Sequence, residues 1–237
     1  MRESMTHKDQ DQTAPKRKPA RARGKKARAN GVATRKKVIK TATSMFAAAG
    51  YEATSLRQIS AGVGIDLATL KYHFGDKANL FAAVYQDGHE TFIATVSPLL
   101  SNIQDIDTPE DVQGIIVQLV EVLQDVILGQ PDFIRMFLYR ILEDSSDIID
   151  LEDELQDNAV ALIDSAFQNL IERGLIRPID TRAFVTMLIT SMPIWFVTAD
   201  VKPSWIANPN PTLSAEGRQR STRFLTDLFA RLLVPSP

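Results

Sequence analysis

Residues 64–77 read Gly64-Ile65-Asp66-Leu67-Ala68-Thr69-Leu70-Lys71-Tyr72-His73-Phe74-Gly75-Asp76-Lys77, and the way this stretch folds decides the class of the chain. Asp66 suits an N-cap, so a short helix is predicted over Leu67–His73 with Leu70 and Phe74 turned inward. Gly62-Val63-Gly64-Ile65 offers the glycines a tight turn requires. Before it, a helix is predicted from Ser55 to Ala61, with Thr54 as its N-cap and Leu56 and Ile59 inward. Two short helices across a four-residue, glycine-bearing turn form a helix-turn-helix.

In that motif the second helix enters the major groove of a duplex, and flanking helix ends meet phosphates. Once Leu70 and Phe74 are buried, Leu67, Ala68, Lys71 and Tyr72 are left facing outward, with Thr69 beside them. Ala68 or the Thr69 methyl can meet a thymine methyl, the threonine hydroxyl can bond either base type, and Lys71 can reach a guanine edge or a phosphate. Tyr72 and His73 carry donors suited to phosphate oxygens. Lys77, with the free amides of the next helix, makes a further anion site, as Thr54 and Ser55 do at the start of the earlier helix. No acidic residue stands between Asp66 and Asp76.

Working outward, a first helix is predicted from about Asn30 to Thr34 onward, with Val38, Ile39, Ala42, Met45, Phe46 and Ala49 at helical spacing and Gly50 as its stop. Downstream, helices are expected over 76–97, ending before Pro98; from Thr108-Pro109 to Leu128; from Pro131 to Leu142; over 147–173, closed by Gly174; from Asp180 or Thr181 to Thr198; and over Ser214–Leu233. Strand signals are absent, so the class is all-α: an N-terminal three-helix DNA-binding domain over 31–78, then a larger helical domain over 79–237. The net charge of −2 hides an asymmetry, because residues 1–40 carry +11 and the rest −13. Residues 1–30 hold the basic runs Lys16-Arg17-Lys18 and Arg21–Lys26 with no large apolar residue after Met5, and are expected to be disordered when free. A basic arm on an acidic body points to a polyanionic partner at one end.

Other chemistries find no support. There is no cysteine, so thiolate metal sites and cysteine nucleophiles are excluded. The three histidines, at positions 7, 73 and 89, make no ligand cluster, and His89-Glu90 does not begin an H-E-x-x-H. His73 has no nucleophile motif to serve, and no phosphate-binding glycine loop occurs. The acidic run from Glu143 to Asp157 lacks the alternate spacing and central glycine of a calcium loop. No enzyme activity, cofactor or metal is expected. No run of eighteen apolar residues occurs, so no membrane span is expected, and the absence of cysteine fits a cytoplasmic, nucleoid-associated setting.

The span from about Thr34 to Leu80 resembles the DNA-binding domain of the TetR family of transcriptional regulators. The resemblance rests on Phe46-Ala47-Ala48-Ala49-Gly50-Tyr51, Thr54-Ser55-Leu56-Arg57-Gln58-Ile59-Ser60, Gly64-Ile65-Asp66 and Thr69–Lys77, four pieces at mutually consistent spacings. Lys71 stands where the family pattern usually has tyrosine, so the operator sequence does not carry over from relatives. The resemblance implies a repressor that binds a double-stranded, palindromic operator as a homodimer, paired through residues 181–198 and 214–233. Phe184, Met187, Leu188, Trp195, Phe224, Leu225, Leu228 and Leu232 would supply that apolar seam. It also implies a pocket in the middle helices for a small-molecule effector. Phe133, Met136, Phe137, Tyr139 and Arg140, with Phe92, Phe167 and Trp195, are its candidate lining for an apolar or aromatic ligand, and Arg135 or Arg140 is a candidate partner for a carboxylate. The alternative is a DNA-binding or adaptor protein without small-molecule input.

Overall fold

Local capping sets most of the helix boundaries. The computed structural model describes residues 20–142, 149–197 and 214–235. Among them run α1 (Ala20–Ala53), α2 (Leu56–Val63), α3 (Leu67–Phe74), α4 (Lys77–Gln104), α5 (Pro109–Gly129), α6 (Pro131–Leu142), α7 (Ile149–Glu172), α8 (Thr181–Val197) and α9 (Ala215–Leu233). No strand occurs among the described residues. Glu143, Asp144, Asp147, Thr198 and the loop 202–211 lie outside the described residues.

The described residues fall into two compact units that part between residues 36 and 37, and the second holds the helix-turn-helix and the larger helical region. In the first unit the helix begins at Ala20, about ten residues before the expected start. The basic run that was expected to be disordered to residue 30 is therefore helical from 20 onward. Alanine, arginine and lysine are strong helix formers, and that propensity offsets the lack of an apolar face.

In the second unit α1 bends at Gly50, where φ is +78° and ψ 172°. Its buried face carries Val38, Ala42, Phe46 and Ala47, which close with Ile59, Val63, Leu70 and Phe74 into a small core continuous with that of α4. Of the glycines in the turn, only Gly64 takes the left-handed conformation, at φ +77° and ψ 37°. The amides of Gly64 and Ile65 return to the carbonyls of Ala61 and Ser60. This Schellman closure leaves the chain aimed for α3.

Pro98 does not end α4, which continues to Gln104. A proline inside a helix removes one backbone hydrogen bond and costs about 3 kcal/mol. Val96, Leu99 and Ile103, all buried, offset that cost by anchoring the segment in the core, where α4 packs on α5 and α7. Three other expected helix starts stand. Thr108 caps α5 by accepting from Asp111 N, Asp180 caps α8 through Ala183 N at 2.9 Å, and Ser214 caps α9 through Gly217 N at 3.0 Å. Glu110–Gly129 has a mean hydropathy of 1.5 and the length to cross a bilayer. Here Val112, Ile116, Val120, Val126 and Ile127 are buried, and α5 packs on α4, α8 and α9.

The expected seam of α8 and α9 divides in two. Phe184, Leu188 and Leu225 are no more than 5% exposed and belong to the core of the chain itself. Met187, Phe224, Leu228 and Leu232 are exposed, with Ile194 alongside. Both helices carry apolar residues on two faces, and periodicity alone could not say which faces inward.

Candidate nucleic-acid interface and cavity

The two short helices are fixed by caps that leave their outer faces bare. Ser55, not Thr54, is the N-cap of α2. Its Oγ accepts from Gln58 N at 3.3 Å while Gln58 Oε1 accepts from Ser55 N at 2.8 Å, a reciprocal capping box. Thr54 is 4% exposed and donates its hydroxyl to the Gly50 carbonyl at 2.8 Å. That inward position removes Thr54 from the set facing a duplex. Lys37 Nζ donates to the Val63 carbonyl at 2.7 Å, placing a cation at the C-terminal end of α2, where the helix dipole favours it.

For α3, Asp66 Oδ1 accepts from Thr69 N at 2.6 Å and Oδ2 from the Thr69 hydroxyl at 3.0 Å. These two hydrogen bonds from Thr69 hold the Asp66 carboxyl below its ordinary range. The Thr69 hydroxyl proton is thereby engaged, leaving its oxygen free only to accept. Leu67 is half-buried and packed against the core rather than turned outward. Ala68, Lys71 and Tyr72 are exposed, Tyr72 to 86%. His73 is half-buried, its ring 5.4 Å from that of Tyr72 and 6.3 Å from that of Phe74. Lys77 sits with Nζ 4.1 Å from the centre of the Tyr51 ring and 3.3 Å from the Glu52 carbonyl. The exposed set offers a small residue, a cation and a phenol on one helix: close approach, a guanine or phosphate contact, and a phosphate donor.

An apolar cavity of about 80 Å³ lies among α4, α5, α6, α7 and α8. Phe92, Phe133, Phe137 and Phe167 line it, with Val96, Leu119, Leu123, Ile163 and Leu188 among the aliphatic wall. Met136 is buried but forms no part of the lining. Tyr139 is 42% exposed on the outside of α6. Arg140 is not available to a ligand carboxylate: its Nε lies 2.7 Å from both oxygens of Glu152, in a pair whose side chains are 8% and 10% exposed. Arg135 is exposed. Trp195 belongs to α8, but its side chain lies outside the described residues. Burial raises the Glu152 pKa against the lowering effect of Arg140. Burial also pushes the Tyr85 hydroxyl up to about 12, even though Gln156 donates to it at 2.7 Å.

Two features escaped the sequence. His89 lines the cavity at 9% exposure, and its only advance signal was a place on the apolar side of α4. A run of rings also joins head and cavity. Tyr51 and Phe46 meet Phe81 at 5.0 and 4.9 Å, Phe81 meets Tyr85 at 6.5 Å, and Tyr85 meets Phe133 at 5.8 Å. Phe133 lies so close to Gly88 that a Cβ there would stand 2.2 Å from the ring. Beside it, Ser44 of α1 donates to Asp132 Oδ2 of α6 at 2.5 Å. No group of residues able to hold a metal ion is found among the described residues.

Residues 38–84 match the family model described as bacterial regulatory proteins, tetR family. The chain is 26% identical over 145 residues to the probable HTH-type transcriptional regulator YttP of Bacillus subtilis. That match covers 60% of this chain and 65% of the relative, so the chain spans less than two thirds of it. It is 27% identical over 196 residues to the HTH-type transcriptional regulator RutR of Escherichia coli, covering 81% and 86% of the two chains. Among solved structures, the fold is similar to that of AibR in complex with isovaleryl coenzyme A and operator DNA, with a TM-score of 0.60 at 20% identity, over 86% of this chain and all of that one.

Proposed function

We propose that the chain, whose residues 38–84 match the model of the tetR family of bacterial regulatory proteins, is a ligand-responsive repressor, released from a palindromic operator when a small molecule enters the cavity. The observation that carries the proposal is the connection between two sites. A capped α3 bearing exposed Ala68, Lys71 and Tyr72 is tied through α4 and its run of rings to an apolar cavity walled by Phe133. A ligand that displaces Phe133 presses on Gly88 of α4 and on the neighbouring Asp132–Ser44 link. Both contacts bias the position of the reading head. A coupling of about 1–3 kcal/mol is enough for regulation.

The homodimer forms through α8 and α9. Met187, Ile194, Phe224, Leu228 and Leu232 are each more than 40% exposed, and Phe224, Leu228 and Leu232 recur at four-residue spacing along one side of α9. Such an apolar stripe is more than scattered surface residues explain. Two protomers present α3 to successive major grooves about 34–36 Å apart. The basic residues of the N-terminal arm add salt-sensitive affinity for the same polyanion. On this reading the chain works in the cytoplasm. The effector is apolar, as the lining is; AibR, similar in fold, was solved with an acyl thioester of coenzyme A and with operator DNA.

Selection of bound sequences from random DNA tests the proposal. A palindrome with half-sites one helical turn apart is expected, and enrichment of a single unrepeated site would sink the dimeric reading. No enrichment at all would sink operator binding itself.

A further inference from the structure

We infer that the cavity selects a neutral apolar molecule carrying one hydrogen-bond donor, a hydroxyl or an amide N–H, and that His89 Nε2 is the acceptor for it. The inference rests on the effector site proposed above and names the chemistry of its ligand.

The wall is apolar except for His89 and Gln156. Gln156 commits one of its two amide N–H groups to the Tyr85 hydroxyl, at 2.7 Å. The His89 ring is hydrogen-bonded to the backbone of Leu155, while its Nε2 is buried with no partner. The bond to Leu155 is therefore made by Nδ1. A backbone carbonyl only accepts, so Nδ1 carries the proton. Burial lowers the pKa of the ring, outweighing the Leu155 bond and the charge of Glu90, so the imidazole is neutral near pH 7. Its Nε2 is then a lone pair with nothing to accept. A buried polar atom left unsatisfied costs free energy; Nε2 is closed off even to water in the empty chain, so a ligand donor that reaches it as side chains of the wall move removes that cost.

The same geometry rejects two other classes. No lysine or arginine lines the cavity, and Arg140 is held by both oxygens of Glu152, so a carboxylate would lose its hydration without gaining a counter-charge. A thioester carbonyl is an acceptor and gains no bond from His89 Nε2. The cavity, at about 80 Å³, is smaller than the roughly 150 Å³ that admits benzene without rearrangement. A ligand with a ring therefore requires side chains of the wall to move.

Calorimetric titration of the full chain with benzyl alcohol, toluene and benzoate tests this, because the three probes share a ring and differ at the head group. Benzyl alcohol is expected to bind about tenfold more tightly than toluene, the worth of one buried hydrogen bond, and benzoate more weakly than benzyl alcohol. His89→Leu should erase the preference while leaving toluene binding in place, and His89→Gln, with an amide oxygen to accept, should keep part of it. Equal binding of toluene and benzyl alcohol by the wild-type chain would overturn the acceptor role and leave the cavity standing as an effector site. Tightest binding by benzoate would also overturn it. Failure of all three probes to bind would remove the effector site together with the inference.

Discussion

The reading head and the cavity region hold their polar groups in opposite ways. In the head, Ser55 pairs with Gln58 and Asp66 with Thr69, each within three residues and at the surface. Around the cavity, Arg140 reaches Glu152, Gln156 reaches Tyr85 and Gln124 reaches Thr222, across 12, 71 and 98 residues, and all are partly or wholly buried. The head is a preformed surface whose stability is assembled locally. The cavity region depends on distant segments meeting, and it keeps one acceptor, His89 Nε2, without a partner. The proposed function uses both: a rigid face to read DNA and a region soft enough to change when something enters.

The sharpest way to break this contrast is to remove one partner from each kind of pair. Glu152→Ala leaves the Arg140 guanidinium buried without its carboxylate and is expected to destabilise the chain by about 3–5 kcal/mol. Asp66→Ala, which removes an exposed cap, should cost about 0.5–2 kcal/mol. Denaturant unfolding measures both, and equal costs would mean that the buried pair does not anchor α6 to α7.

Packing offers a second contrast of smaller size. Val63 is 2% exposed in the close-packed core of the head, so Val63→Leu overpacks it and should cost about 1–3 kcal/mol. Val126 lines the cavity, so Val126→Leu has space to enter and should change stability by less than about 1 kcal/mol. Reversal of that order would show that the void is not present in solution.

A third test separates surface from support within the head. Lys71 is exposed on α3, so Lys71→Ala should leave unfolding within about 0.5 kcal/mol of wild type. Operator affinity should weaken by about 1–3 kcal/mol if the lysine meets a base edge. A folded variant that binds with wild-type affinity would move the contact to Ala68 or Tyr72.

The difference between local and distant pairing also decides what could be read from the sequence. Asp66 and Thr108 were legible as caps, and Asp180 as one of two candidates with Thr181, because a cap acts on amides two or three residues away. Thr54 and Ser55 are adjacent and both capable of capping, and only Gln58, reaching back to complete the box, decides between them. Pro98 misled because local backbone chemistry forbids what burial of Val96, Leu99 and Ile103 compels. Leu67 looked outward by elimination, whereas its contact is with the core. Four of the cavity phenylalanines were legible as an aromatic cluster, but Tyr139 and Arg140, on the same helix, differ only in which side of α6 they occupy. His89 was unreadable as a site residue, since its meaning lies in a missing partner.

That missing partner yields the smallest and most specific prediction, a pH dependence. Burial depresses the His89 pKa in the folded chain, while the unfolded chain titrates near 6.5. Between those values the unfolded state binds a proton that the folded state refuses, so stability falls as pH falls. The contribution is fully present above about 6.5 and is lost as pH drops towards the depressed value. Glu152, whose pKa burial raises, acts with the opposite sign, because the folded chain takes up its proton first. Both wild type and His89→Gln retain Glu152, so its effect cancels in their difference. Melting followed from about pH 7.5 to about pH 5.5 should show wild type losing more stability than His89→Gln. Parallel curves would mean that His89 meets solvent in the folded chain, and with that the cavity would lose its one unsatisfied acceptor. A saturating ligand that donates to Nε2 should extend the loss further, since it binds only the neutral ring.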